Sequence, residues 1–374
     1  MTAAIVKAIG RAIDKHDLSR AEMAEVVGQI MDGQATAAQI GGLLVALRAK
    51  GEAVEELVGA AAAMRSRATP LACPRIEHSI DTCGTGGDGA GTVNVSTLAA
   101  ILIAACGGSV AKHGNRAQSS KCGSADVLEA LGIKTDAEPR IVERSVSIAN
   151  IGFAFAPRFH AATRHAGGPR KELGTRTIFN LIGPLTNPAN VRHQVVGVFA
   201  RQWCEPMAAA LGALGLRRAA VVHGNDGLDE IAVRGETHVA LWDREAGLVR
   251  ALSIAPRTFG VDELPPEGLA GGDAAHNAQI LMKVIAGHQV DRGERFEAVL
   301  RAAAMAAALG LELLEPGELD LLRLPDQYLR AVATVKNGAA RLVLHKWREA
   351  SQDVPDADLA ELASLRAADF AGVE

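Results

Sequence analysis

The residues best placed to do chemistry fall into a few short clusters. Gly84-Thr85-Gly86-Gly87-Asp88-Gly89 is a glycine-dense run with one carboxylate inside it. Asn94, Ser96 and Thr97 follow with amide and hydroxyl groups, and Lys112, His113, Asn115 and Arg116 form a second polar cluster. Later come His160, His165 and Arg170, and the adjacent carboxylates Asp229-Glu230. Closely spaced glycines let backbone N–H groups approach an anion, most effectively beside a helix start, where N–H groups are free and the dipole is positive. Lys112 would add a full charge. Asp88 would repel a phosphate unless it bonds sugar hydroxyls or a cation bridges the two. Asp229-Glu230 supplies hard oxygen ligands of the kind that hold Mg²⁺ jointly with substrate phosphates. Together these residues suit a phosphorylated sugar.

Other chemistries fit less well. The glycine run matches the dinucleotide fingerprint Gly-x-Gly-x-x-Gly, but the acidic residue about 20 positions on that would hold a ribose hydroxyl is missing. Cys106-Gly107-Gly108 stands there, and Ala90-Gly91-Thr92-Val93 makes the loop longer than that fold uses. There is no Gly-Lys-Ser/Thr of the Walker type. The histidines show no HxH or HExxH spacing for zinc. His113, Asn115, His160 and Arg170 instead suit an anionic aromatic acid, since arginine can take a carboxylate bidentately. Read alone, Arg170 fits a surface cation and Asp229-Glu230 a solvated helix start. The five cysteines (Cys73, Cys83, Cys106, Cys122, Cys204) have no paired spacing and no motif joins one to a base, so reduced packing thiols are expected.

The elements that must position these groups follow from periodicity and stop signals. A short apolar run from Ile76 closes as a strand at Ser79-Ile80-Asp81, ahead of the glycines. Asn94 to Thr97 opens a helix running to Ala105. Ser109 to Ala111 is the next strand and delivers Lys112 to Arg116 at its end. Two successive strand ends thus meet at one sheet edge, where open α/β folds bind ligands. Further strands are expected at Ile151–Phe155, Val195–Phe199 and Ala219–Val222, separated by helices and hence parallel. Residues 1–69 read as four helices, Ala3–His16, Ala21–Asp32, one opened by Thr36 and ended by Gly51, and Val54–Arg67, with capping-box signals at Ser19 and Thr36. Helices are also expected over Asp273–Gly287, Arg292–Leu311 and Leu324–Arg348, and an exposed helix or frayed tail over Ser351–Glu374.

The chain has 374 residues, 48% hydrophobic and 22% charged, with a formal net charge of -4. That charge gives no general attraction to nucleic acid or anionic membranes, so any phosphate site must be local. Aromatics at 3% argue against a stacking platform for single strands. No apolar run approaches the roughly 18 residues of a membrane span and no signal peptide is read, so a cytoplasmic protein is expected.

In combination the motifs identify a family. Gly84–Gly89, Asn94–Thr97, Lys112–Arg116, Gly123–Gly132, Gly174–Asn180 and Gly183–Pro188 closely resemble the anthranilate phosphoribosyltransferases of tryptophan biosynthesis. Gly227–Glu230, Gly271–Ala275 and Ala38–Gly41 extend the match. The resemblance implies an α/β protein: a small all-helical domain hinged to a larger domain with a central, mostly parallel sheet flanked by helices. The helical domain would be residues 1–70, completed by about 166–185. The phosphoribosyl-donor domain would be 71–165 and 186–348, with a tail over 349–374. The implied reaction moves phosphoribosyl from phosphoribosyl pyrophosphate to the anthranilate amine with Mg²⁺ and no covalent intermediate, in a homodimer formed through the helical domain. Gly84, Gly87, Asp88, Thr92, Asn94, Ser96, Thr97, Lys112, Ser120 and Ser124 would hold the donor, and Ser96, Asp229 and Glu230 the metal. Gly84, His113, Asn115, His160, Arg170 and Pro184 would serve the acceptor. The sequence departs from the family pattern after His160, where Ala161-Ala162-Thr163-Arg164 replaces the usual Pro-Ala-Met-Lys, at Gly167-Gly168-Pro169, and at Thr175. Another aromatic acceptor, a nucleoside phosphorylase of related fold, or a non-catalytic nucleic-acid-binding relative are the alternatives.

Overall fold

A computed structural model describes residues 3–117, 121–287, 294–352 and 356–370. Helices α1 (Ala3–Ile13), α2 (Arg20–Met31), α3 (Ala37–Lys50) and α4 (Val54–Arg65) come first. The starts of α2 and α3 are fixed by the two capping boxes. The Ser19 and Thr36 hydroxyls accept from the Glu22 and Gln39 backbone N–H at 3.3 Å, and those side chains reach back to the cap N–H at 3.0 Å. α1 stops short of His16 because Lys15 has φ +64°, which a right-handed helix cannot continue.

The chain then alternates. β1 (Ser79–Gly84), α5 (Val95–Ala105), β2 (Ser109–Gly114), α6 (Ser124–Ala130), α7 (Pro139–Ala149) and β3 (Ile151–Phe155) build one half of the sheet. α8 (Ala156–Phe159), α9 (Arg164–Leu173) and α10 (Phe179–Ile182) return to the helical layer. β4 (His193–Gly197), α11 (Cys204–Ala213), β5 (Arg218–Gly224) and the hairpin β6 (Thr237–Asp243) and β7 (Leu248–Ile254) complete the sheet. α12 (Ala274–Ile285), α13 (Glu294–Leu314), α14 (Leu324–Lys336), α15 (Ala339–Ala350) and α16 (Asp356–Ser364) follow.

The sheet order is β3-β2-β1-β4-β5-β6-β7; the first five strands are parallel and the last two antiparallel. The chain winds outward from β1 to β3, then starts again on the other side of β1 with β4. The β1/β4 boundary is therefore the topological switch point, the usual ligand crevice of such sheets. One sheet face packs on α5 and α13 through residues such as Leu98, Leu102, Ile103 and Leu309. The other face, with Val196, Val198 and Val221, packs on α11 through Met207 and Leu211. That second core runs without a break into the helical layer, where Leu43, Leu47, Leu57 and Ala61 meet Ala166, Ile178, Leu181 and Ile182. Among the described residues no helix is long and apolar enough to cross a membrane.

Several expectations need correcting. The β6–β7 hairpin is absent from the elements expected above. Leu324–Arg348 is two helices, broken at Gly338, whose φ is +82°. The polar stretch after Pro157 is largely helical, with Pro169 inside α9. The C-terminal segment is not simply exposed: Leu359 and Leu362 of α16 are buried against Ala350, and the Arg144 guanidinium donates to the Ala350 carbonyl at 2.8 Å.

Candidate active site

The glycine loop leaves β1 at the switch point, where Gly84 pairs with Gly197 of β4. The Thr85 N–H donates to the Gly197 carbonyl at 2.9 Å, and the Thr85 hydroxyl accepts from the Phe199 N–H at 3.0 Å. The loop is thereby stapled to the end of β4. Its outer part is held by the Arg176 guanidinium, which donates to the Gly87 carbonyl and lies 4.4 Å over the Phe199 ring. Gly87 has φ +81°, a conformation open mainly to glycine. Beyond it, the Gly271 N–H donates to the Gly91 carbonyl at 2.8 Å and the Val93 N–H to the Leu269 carbonyl at 2.9 Å. The loop is a preformed rim whose polar groups are committed to one shape.

Three carboxylates converge on this rim. Asp229 Oδ2 accepts from the Gly86 N–H at 2.8 Å. The approach is close enough that a Cβ on Gly84 would sit 2.6 Å from Asp229 Oδ2, and one on Gly197 only 1.6 Å from the Asp229 carbonyl oxygen. Burial and the neighbouring Asp88 push Asp229 up to about 7. Burial and Asp229 raise Glu230 well above the usual carboxylate range. Asp88 Oδ1 accepts from the Ala90 N–H at 3.1 Å, while its Oδ2 is buried with no hydrogen-bond partner. Repelling carboxylates with an orphaned oxygen suit a shared cation. Among the described residues no three His, Cys, Asp or Glu side chains are gathered closely enough to hold a metal unaided. The carboxylate set fits Mg²⁺, which takes few protein ligands and completes its shell with water and phosphate oxygens.

The helix start supplies the next layer. Ser96, in the first turn of α5, accepts from Lys112 Nζ at 3.3 Å and retains a hydroxyl hydrogen for a ligand. Lys112 is fully buried within β2, which runs on to Gly114 rather than ending at Ala111, and its ammonium also donates to the Thr82 carbonyl. Burial lowers its pKa, opposed by Asp81. Lys112 thus holds Ser96 and β1 at the floor of the cleft, a more indirect position than a free charge. Asp81 is itself buried, accepting from Asn187 Nδ2 at 2.8 Å and from the His113 N–H at 3.2 Å.

Two neutral histidines and one arginine lie elsewhere in the lining. The His113 and His160 rings meet edge to face at 5.1 Å, and both Nε2 atoms are buried without a protein partner. Burial lowers His160 to about 4 and holds His113 well below its ordinary value, so both are neutral near pH 7. Arg170 of α9 reaches over from the helical layer and stacks 5.0 Å above the Phe179 ring. Pro184 and Asn115 also line the cleft. Cys122 and Cys83 stay protonated, because burial pushes Cys122 up to about 11 and Cys83 well above its usual value.

These groups line one cleft of about 350 Å³. Gly84, Gly87, Asp88, Thr92, Asn94, Ser96, Lys112, His113, Asn115, Ser124, His160, Arg170, Pro184, Asp229 and Glu230 all border it. Thr97 does not. It is fully buried one residue further round α5, where a 100° step turns it away from the side Ser96 faces. Ser120 lies outside the described residues. Met64, Thr163, Phe179 and Asn180 also line the cleft and were not assigned roles from sequence. Phe179 and Asn180 lie inside the Gly174–Asn180 motif, which was the signal available for them.

Comparison with known proteins agrees with this architecture. The family model for the glycosyl transferase family a/b domain matches residues 77–341, and that for the helical bundle domain of the same family matches residues 6–68. An anthranilate phosphoribosyltransferase from Anaeromyxobacter sp. is 48% identical over 342 residues, 90% of this chain and 100% of its own length. That of Desulfosudis oleivorans is 50% identical over 83% of this chain and 90% of its own. The crystal structure of anthranilate phosphoribosyltransferase from Thermus thermophilus superposes with a TM-score of 0.82 at 40% identity, covering 92% of this chain and 99% of that one. The enzyme from Saccharomyces cerevisiae in complex with PRPP and Mg gives 0.83 at 25% identity, covering 95% and 99%.

Proposed function

Since the chain belongs to the anthranilate phosphoribosyltransferase family, we propose that its cleft joins phosphoribosyl pyrophosphate to anthranilate, the former on the glycine rim and the latter against Arg170. The observation that carries this reading is the make-up of one cleft. The glycine loop gathers with Asp229 through the Gly86 N–H and with Asp88 and Glu230, while His113 packs on His160 and Arg170 stacks on Phe179 in the same lining.

The chemistry follows from that make-up. The C1–oxygen bond to pyrophosphate breaks, the anthranilate nitrogen bonds to C1, and the proton the amine loses passes to the departing pyrophosphate or to solvent. Mg²⁺, held by Asp229, Glu230 and Ser96, would supply neutralisation of the charge on the departing pyrophosphate. The loop N–H groups and the start of α5 would orient the phosphates. Arg170 would grip the carboxylate, and His113, His160 and Pro184 would exclude water from C1. An aromatic amine needs placing more than deprotonating, and histidines kept neutral by burial would leave it nucleophilic. No side chain is required to form a covalent intermediate.

Incubation with phosphoribosyl pyrophosphate, Mg²⁺ and anthranilate should consume anthranilate fluorescence. Pyrophosphate release with a different aromatic acid alone, in a substrate panel, would move the acceptor assignment to that acid.

The helical layer suits self-association. Ile9, Ala12, Ile13, Gly41, Gly42 and Val45 line an apolar groove between α1 and α3, and Ile13 is 63% and Val45 47% exposed. A second copy would cover this face, making the protein a dimer. Val45→Asp should then shift the sedimentation coefficient to that of a monomer, and an unchanged dimer would place the interface elsewhere.

A further inference from the structure

We infer that Asn277, which lies behind the cleft, is a positioning residue that sets which way the Asn94 amide faces the phosphoribosyl donor. The inference rests on placing Asn94 on the donor side. Asn94 is the N-cap residue of α5, yet its side chain does not cap the helix. Instead, Asn94 Oδ1 accepts from Asn277 Nδ2 at 3.0 Å. Asn277, one turn into α12, is completely buried and does not border the cleft.

The orientation is set by a backbone group. Asn277 Oδ1 accepts from the Gly272 N–H at 2.7 Å. A backbone N–H can only donate, so the oxygen of Asn277 must face Gly272 and its NH₂ must face Asn94. Asn94 must then present its oxygen to Asn277. What remains is the Asn94 NH₂. Its contact with the Cys122 carbonyl is long, at 3.4 Å, so it has a hydrogen to offer to the cleft it lines. A chain of polarity therefore runs from Gly272 through Asn277 to Asn94 and delivers a donor, not an acceptor, to an anionic or hydroxyl-rich ligand. The same Gly271-Gly272 segment pins Gly91, so the loop and the amide are set from one place.

The test is a double-mutant cycle on the full-length enzyme, reading the KM for phosphoribosyl pyrophosphate and the KM for anthranilate separately. In Asn277→Asp one carboxylate oxygen still takes the Gly272 N–H and the other demands a donor, so Asn94 must turn its oxygen to the cleft. The donor KM should rise by about tenfold or more, the size of a lost hydrogen bond to a charged group, with the anthranilate KM changed less than about twofold. Asn277→Ala, which frees Asn94 without reversing it, should give a smaller rise. In an Asn94→Ala background Asn277→Asp should add less than about twofold, because its effect passes through Asn94. An additive rise in that background would overturn the inference and leave Asn277 a structural residue. If Asn94→Ala itself leaves the donor KM unchanged, the donor-side placement of Asn94 fails, and the inference with it. Should Asn277→Asp not fold, Asn277→Ala run through the same cycle decides between additive and non-additive losses.

Discussion

Gly197→Ala should disable the enzyme without unfolding it. An added Cβ would sit 1.6 Å from the Asp229 carbonyl oxygen, where ordinary contact begins at 3.4 Å, so the backbones must part by about 1.8 Å. The obstructing atom is main chain, so no rotamer change relieves the clash. Either the loop carrying Asp229 and Glu230 moves out or the end of β4 moves back. In the second case the 2.9 Å bond from Thr85 to Gly197 stretches, and the glycine rim moves instead. Both routes separate the rim from the carboxylates. Displacements of about 1 Å at reacting groups cost on the order of 100-fold in rate, so kcat/KM for phosphoribosyl pyrophosphate should fall at least that far. The Mg²⁺ concentration for half-maximal rate should rise. Anthranilate fluorescence at varied donor and Mg²⁺ measures both. Gly212→Ala is the control: its Cβ would meet the Trp242 ring at 2.3 Å, away from the cleft, so it should lower the melting temperature and spare both constants. A Gly197→Ala enzyme within about threefold of the parent would refute the argument that this contact fixes the site.

Arg170→Ala should raise the anthranilate KM by roughly 10- to 100-fold, the worth of a charge-assisted hydrogen bond, and the donor KM much less; a reversed ranking would put Arg170 on the donor side. Arg176→Ala releases Gly87 and the Phe199 ring, so the donor KM should rise by roughly 5- to 10-fold with the anthranilate KM nearly constant. Equal rises in both would mean that Arg176 holds the whole cleft. His193 is buried, bonded through Nδ1 to the Ser79 carbonyl at 3.1 Å, and lowered by burial to about 4 from 6.5. The unfolded chain therefore binds the extra proton first, and stability present above pH 6.5 is lost as pH falls toward 4, by at most about 2 kcal/mol at pH 5. Urea midpoints at pH 7.5 and 5 should differ less in His193→Gln than in the parent, and identical differences would exclude this group as a source of acid sensitivity.

The glycine rim was legible because its signals are local: a strand, a positive-φ loop and a helix start in sequence order. The two capping boxes were legible for the same reason. Asp229-Glu230 was harder. As a sequence it fits a solvated helix start, and it takes on another meaning only where Gly84 and Gly197 let it approach the loop. Thr97 misled because residue type suggests a donor while helical phase decides direction. The β6–β7 hairpin escaped because most of β6 is buried, leaving little alternation, and its turn over 244–247 lacks a two-residue glycine signal. Asn277 carried no local signal; its partner lies 183 residues away.

The shared core of the helical layer has a consequence for how the chain is made. α1 to α4 are finished by residue 65, but Ala166, Ile178, Leu181 and Ile182 fill their core. During synthesis the first four helices must wait for some 117 further residues before that surface is covered. At about 5–20 residues per second the delay is roughly 6–23 s. For that interval the nascent protein carries an open apolar face on the ribosome, so translation speed between residues 65 and 182 should govern how much of it aggregates or reaches the native state.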